Sequence, residues 1–179
     1  MARLDPQALV EHLDRLYRAA WALCGSREEA EDLVQETAAR VLARPRQLHG
    51  QDELAYLIRA LRNTFLLSRR TASRRPQVRA TLDQVEAVEP RRDTRPEAVI
   101  ESRELFATIS ALPDDFRLAL VAVDVAGLSY REAADILETQ EATIASRLYR
   151  ARDRVARALA DDTSASAREG AASSRSLRQ

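Results

Sequence analysis

The sequence predicts an all-α protein of two small helical domains joined by a flexible linker. Three observations predict it. The 179 residues include only four Gly and few β-branched runs, which weakens every strand reading. Apolar residues recur at i, i+3, i+4 and i+7 along most of the chain, the period of helices with one buried face. Between residues 77 and 95 that period fades, and prolines and mixed charges replace it. The chain therefore divides into 1–76, a linker at 77–95, a second unit at 96–160 and a tail at 161–179.

A first helix is expected over residues 6–23, with Leu9, Leu13, Leu16, Tyr17, Ala20 and Leu23 as its stripe. Gly25 ends it in the usual C-terminal position. Ser26 and Glu29 form a capping box that starts a second helix, REEAEDLVQETAARVLA. Its buried stripe is Ala30, Leu33, Val34, Thr37 and Val41, while Asp32, Gln35, Glu36 and Ala39 align on another face. Acids near a helix N-terminus suit the macrodipole, so that face reads either as solvated surface or as a docking surface.

A third helix starts near Glu53 and buries Leu54, Leu57, Ile58, Leu61 and Phe65. Arg59, Arg62 and Asn63 lie on its other side. Arg69, Arg70, Arg74 and Arg75 follow before Pro76 stops the helix, and between residues 54 and 82 every charged residue is Arg. Like charges at this density repel one another, so an anionic partner is expected. Nucleic acid is the first choice; an acidic protein and a membrane surface are alternatives.

Pro96 suits the first turn of a helix reaching about residue 111. Leu112, Pro113, Asp114 and Asp115 start the next, with Phe116, Ala119, Leu120 and Val123 inward and Gly127 closing it. Ser129 and Glu132 form a further capping box. Its helix carries Tyr130, Ala133, Ala134 and Leu137 inward, and Glu138, Thr139 and Gln140 interrupt the pattern. The following helix buries Ile144, Leu148, Ala151 and Val155. Its other face carries Thr143, Ser146, Arg147, Arg150 and Arg154. A short helix, a turn and a helix with an arginine-rich polar face is the helix-turn-helix pattern. The same face also reads as a solvated surface.

All basic residues are Arg, and the net charge is zero; distribution matters more than the sum. Cys24 is the only cysteine, and His12 and His49 are isolated, so no metal site, cofactor site or catalytic constellation is expected. No apolar run approaches a membrane span and no signal peptide is evident, which places the chain in the cytoplasm with no membrane contact of its own. The tail, rich in Ser and Ala, is expected to be disordered.

These segments together resemble the extracytoplasmic-function (ECF) sigma factors, a minimal branch of the bacterial sigma-70 family. AEDLVQET at 30–37 resembles region 2.2. YLIRALRN at 56–63, with the arginines after it, resembles regions 2.3 and 2.4. ALPDDFRLALVAVDVAGLSYREAADIL at 111–137 resembles regions 4.1 and 4.2, and TIASRLYRARDRV at 143–155 resembles the recognition helix. The resemblance implies a non-enzymatic protein that binds core RNA polymerase and promoter DNA and is held by an anti-sigma factor. It makes Asp32, Leu33, Val34, Gln35 and Glu36 the polymerase-docking surface. Arg59, Arg62, Asn63, Arg69, Arg70 and Arg74 would engage the −10 element. Glu141, Thr143, Ser146, Arg147, Arg150 and Arg154 would engage the −35 element, with base edges expected for Thr143, Ser146 and Arg147 and phosphates for Arg150 and Arg154.

Phe65 reads as core rather than as a wedge against a base. The chain departs from the family pattern at Glu138, in a turn position where Gly is common, which predicts a less tight turn. Further departures are Ala142, Ala145, Tyr56 and Leu67. The linker acids Asp83, Glu86, Glu89 and Asp93 are expected to fold back on the arginine cluster. A stand-alone helix-turn-helix regulator and a sigma-like adaptor that does not read DNA are the alternatives.

Overall fold

The computed structural model of the protein describes the backbone of residues 2–3, 6–43, 47–48, 53–74 and 96–176, and the side chains of 9–43, 53–71 and 102–161. The linker 77–95 and its four acids lie outside the described residues. Helices dominate: α1 (Pro6–Glu11), α2 (Leu13–Cys24), α3 (Arg27–Ala43), α4 (Glu53–Arg74), α5 (Pro96–Ser110), α6 (Asp114–Leu120), α7 (Tyr130–Leu137) and α8 (Glu141–Ser176). Two short strands, β1 (Ala2–Arg3) and β2 (Gln47–Leu48), pair antiparallel beside them.

The expected first helix is broken at His12, and Leu13 is exposed rather than part of the buried stripe. Gly25, at φ +78°, caps α2 and donates its N–H to the Trp21 carbonyl at 2.7 Å. Helix α3 buries Ala30, Leu33, Val34, Thr37 and Val41 as its spacing predicts. Helix α4 buries Leu57, Ile58, Leu61 and Phe65.

In the second half, α6 passes into a π-helical turn, Val121–Val125, before Gly127. The Ala126 N–H reaches the Val121 carbonyl, five residues back, at 2.9 Å. The Ser129–Glu132 capping box forms in both directions, and its two hydrogen bonds from Ser129 hold the Glu132 carboxyl below the usual range. Ile136, absent from the expected stripe of α7, is buried, while Tyr130 is exposed. Helix α8 packs Ile144, Leu148 and Ala151 inward and continues to Ser176. The sequence reading ended it near Leu159 and expected a disordered tail; the backbone is helical to Ser176 with no apolar stripe to mark the extension.

Glu138 adopts the left-handed conformation that Gly would take, at φ 54° and ψ 47°. The turn is therefore kept, with Thr139 N–H bonded to the Ala134 carbonyl at 3.0 Å. A side chain in this conformation costs roughly 1–2 kcal/mol, partly offset by glycine's greater unfolded-state freedom. Glu138→Gly is thus expected to stabilise the protein by about 0.5–1 kcal/mol. Urea unfolding checks this, and a destabilised variant would refute the strain argument.

The two halves share one core, an arrangement not evident in the sequence. The Trp21 ring from α2 meets Phe106 from α5, centroids 4.8 Å apart. Gly25 comes so close to α5 that an added Cβ would overlap the Ser110 hydroxyl. Leu23, Ile58 and Leu61 face Leu118, Val121 and Ile136 across a gap of about 10 Å³. Arg117 of α6 is buried at 6% exposure. It donates to the Leu23 carbonyl at 2.9 Å and the Ser110 carbonyl at 2.6 Å, and bonds Asp114.

Candidate nucleic-acid interface

Three surfaces carry the residues singled out in the sequence. The first is acidic. Asp32, Gln35 and Glu36 are exposed on α3, while Leu33 and Val34 lie beneath them in the core. Glu36 bonds Arg40 at 2.6 Å. This face borders a cleft of about 530 Å³ between α3 and α4, whose walls include Asp32, Glu36, Arg40, Leu67 and Arg69. Cys24 also borders it. Burial, assisted by Glu29, pushes its thiol up to about 12, so it stays protonated and poorly nucleophilic. Among the described residues no His, Cys, Asp or Glu group has the arrangement of a metal site.

The second surface is the arginine face of α4. Arg59 and Asn63 are exposed and Arg62 is half-buried; Arg62 donates to the Asn63 side-chain oxygen at 3.3 Å. Arg69 and Arg70 are exposed nearly two turns further on. Arg74 is the last residue of α4, and its side chain lies outside the described residues. Phe65 is buried at 5% exposure, in keeping with the core reading. The guanidinium of Arg69 sits 5.7 Å from its ring centre and that of Arg117 5.3 Å, within cation–π range.

This face meets the second half of the chain. Arg59 donates to the Asp135 carbonyl at 2.9 Å, Arg62 lies 4.0 Å from Glu138, and Arg69 bonds Asp114 at 2.6 Å. Among the described residues, the acids that meet this face belong to α6 and the turn after α7.

The third surface is α8. Glu141 is exposed at its start, and Thr143 is half-buried. Arg147 and Arg154 both turn toward α6: Arg147 bonds Asp115 at 2.9 Å, and Arg154 lies 5.0 Å over the Phe116 ring. Directly opposite the buried Ile144, Leu148 and Ala151 stripe stand Ser146, Tyr149, Arg150 and Asp153, at i, i+3, i+4 and i+7. Ser146 Oγ donates to the Thr143 carbonyl at 3.0 Å. Tyr149 is 75% exposed, and the sequence reading missed it. Its signal was available: a large aromatic residue outside the stripe, between Ser146 and Arg150. Arg152 holds Asp124 through two hydrogen bonds, at 2.9 and 2.7 Å, and so fixes α8 to the π-helical turn.

Sequence-family models match in the expected order: sigma-70 region 2 over residues 9–75 and sigma-70 region 4 over residues 102–155. Curated relatives include the ECF RNA polymerase sigma factor SigE of Mycolicibacterium smegmatis. It is 35% identical over 163 residues, which are 88% of this chain and 62% of that protein. This chain thus spans less than two thirds of that relative. EcfG of Rhodopseudomonas palustris, also an ECF RNA polymerase sigma factor, is 36% identical over 76% of this chain and 74% of its own length. Among solved structures, the sigma factor RpoE in complex with the anti-sigma factor NepR, from Bartonella quintana, has a TM-score of 0.64 and 26% identity. The match covers 86% of this chain and 94% of that one. CnrH in complex with the cytosolic domain of CnrY shares the fold, with a TM-score of 0.59 at 22% identity over 87% of each chain.

Proposed function

The chain belongs to the sigma-70 family, in its extracytoplasmic-function branch, and from that membership we propose that it is an RNA polymerase sigma factor. It binds core polymerase, recognises −10 and −35 promoter elements and initiates transcription. The observation that carries this reading is the placement of three distinct surfaces on one chain. An acidic face on α3, an acid-free arginine face on α4 and a capped helix-turn-helix in α7 and α8 are all present. A stand-alone helix-turn-helix regulator needs only the last of them. Residues 1–76 would bind polymerase and the −10 element, 77–95 would link, and 96–160 would bind the −35 element, with 161–179 as an appended segment. Affinity would come from phosphates and specificity from base edges. Catalysis would belong to the polymerase, so the chain itself is no enzyme and works in the cytoplasm. An anti-sigma factor is the expected regulatory partner. Among the described residues no helix is long and apolar enough to cross a membrane.

The test is direct. Purified protein is added to core polymerase, and transcription is measured from a library of promoter fragments. Binding with start sites at a shared motif supports the proposal; binding to DNA but never to polymerase favours the stand-alone regulator. The docking face has its own prediction. Asp32→Arg with Glu36→Arg should weaken polymerase binding about tenfold or more, because like charges at an interface are strongly unfavourable. Both side chains are exposed, so helicity by circular dichroism should be unchanged. Unaltered affinity for core polymerase would remove this face from the interface.

A further inference from the structure

A helix presents a reading face only if it is held against rolling about its own axis. Successive residues stand about 100° apart around a helix. Arg147 and Arg154 therefore lie on one flank of the buried stripe of Ile144, Leu148 and Ala151, and Arg152 lies on the other. On the first flank, Arg147 bonds Asp115 at 2.9 Å and Arg154 covers the Phe116 ring at 5.0 Å, both at the start of α6. On the second flank, Arg152 forks onto Asp124 beyond the far end of α6. Its Nε donates to Oδ2 at 2.9 Å and its Nη2 to Oδ1 at 2.7 Å. Hydrogen bonding to Asp124 raises the pKa of the guanidinium, and the Tyr130 hydroxyl at the start of α7 adds to it.

Asp124 is itself held from behind. It belongs to the π-helical turn Val121–Val125, a rare element that concentrates at functional sites. Val121 and Ala122 of the same turn are buried and face Leu23, Ile58 and Leu61. The carboxylate is thus presented from a packed backbone rather than from a loose loop.

We propose that Arg152 and Asp124 are the positioning pair of the −35 reading face, fixing the roll of α8 and so aiming Ser146, Tyr149 and Arg150 at the base edges. This rests on the reading of α8 as the helix that enters the −35 major groove. A roll of about 20° moves a side-chain tip ~6 Å from the helix axis by about 2 Å, more than a hydrogen bond tolerates. The hold matters most on DNA. Arg147 and Arg154 give up Asp115 and Phe116 when they turn to a phosphate or a base, which empties the first flank of its polar contacts. The Arg152–Asp124 fork makes no such exchange. Lysine cannot take its place, because a point charge does not pair with both carboxylate oxygens in a fixed plane.

The test uses holoenzyme assembled from core polymerase and each variant, offered a pool of promoter duplexes randomised over the −35 segment. Arg152→Lys and Asp124→Asn should each lower the preference for the selected sequence over a scrambled one by about three- to tenfold, part of what one well-placed base contact gives. Binding to the scrambled duplex and the urea midpoint should be unchanged, because the Arg152 side chain is 54% exposed and such pairs contribute little to stability. The exchange Arg152→Asp with Asp124→Arg rebuilds the pair and should recover most of the preference lost in Asp124→Arg alone. Preference as sharp in Arg152→Lys and Asp124→Asn as in the unaltered protein overturns the positioning role and leaves α8 as the reader. Tighter binding of both duplexes by Asp124→Asn also overturns it, since Arg152 would then serve DNA directly. An exchange that restores the urea midpoint but not the preference marks a merely structural contact and overturns it too. No −35 preference with the unaltered protein overturns the reading of α8, and this inference with it.

Discussion

Arg117→Met is expected to lower the stability of the free protein by about 2–4 kcal/mol and to shift Trp21 emission to the red. Arg117 is almost fully enclosed, and its guanidinium connects the two halves. One nitrogen serves the Leu23 carbonyl at the end of α2 and the Ser110 carbonyl at the end of α5. Another bonds Asp114, and the plane lies over Phe65. Methionine fills much of the same space but donates nothing. A buried acceptor left without its donor costs about 1–3 kcal/mol, and two carbonyls lose theirs here. Asp114 adds less, because it is half-exposed and keeps Arg69. Lysine is not a neutral alternative, since a point charge cannot fork to two carbonyls and a carboxylate together. Urea unfolding and Trp21 emission are the measurements. A midpoint equal to that of the unaltered protein would show that Arg117 is not the link. Reduced stability with unchanged emission would confine its role to packing within the second half.

What could be read from the sequence was local. The five-residue stripe of α3 is buried as spaced, and the Ser129–Glu132 box caps α7 as written. Both depend on residues within a few positions of one another. The break at His12 left no such trace, because the segment around it contains neither Gly nor an internal Pro. The π-helical turn at Val121–Val125 was equally silent, since its valines and alanine continue an apolar run. Glu138 was read as loosening a turn; the turn forms with Glu138 itself in the left-handed geometry. Closure of the halves was illegible for a further reason. It depends on pairs such as Arg117 and Leu23, 94 positions apart, and a charged side chain in an amphipathic helix is ordinarily read as solvent-facing. The proposed −35 face was read from residue chemistry, which favoured Arg147; its geometry depends on the neighbouring α6, which the helix pattern of α8 alone does not contain.

That geometry sets the second large effect. Tyr149→Ala and Arg150→Ala are expected each to cost about 1–3 kcal/mol of binding to a cognate −35 duplex, against a smaller loss for Arg147→Ala. Tyr149 and Arg150 stand with Ser146 on the face opposite the buried stripe of α8, the face a recognition helix turns into the major groove. An exposed tyrosine there can cover a thymine methyl, and an arginine beside it can reach a guanine edge or a phosphate. Arg147 must first leave Asp115, and Arg154 must leave the Phe116 ring, so each yields less net gain on DNA. At 75% exposure Tyr149 contributes little to the core, and its removal should leave the unfolding midpoint unchanged. The duplex is taken from a promoter that the holoenzyme selects, and binding is measured against a scrambled −35 site. Tyr149→Ala should weaken the cognate site and spare the scrambled one. Arg150→Ala should weaken both, if its guanidinium bonds a phosphate rather than a base. If Arg147→Ala costs more specificity than Tyr149→Ala, the outward face is not the reading face, and Asp115 has released Arg147 into the groove.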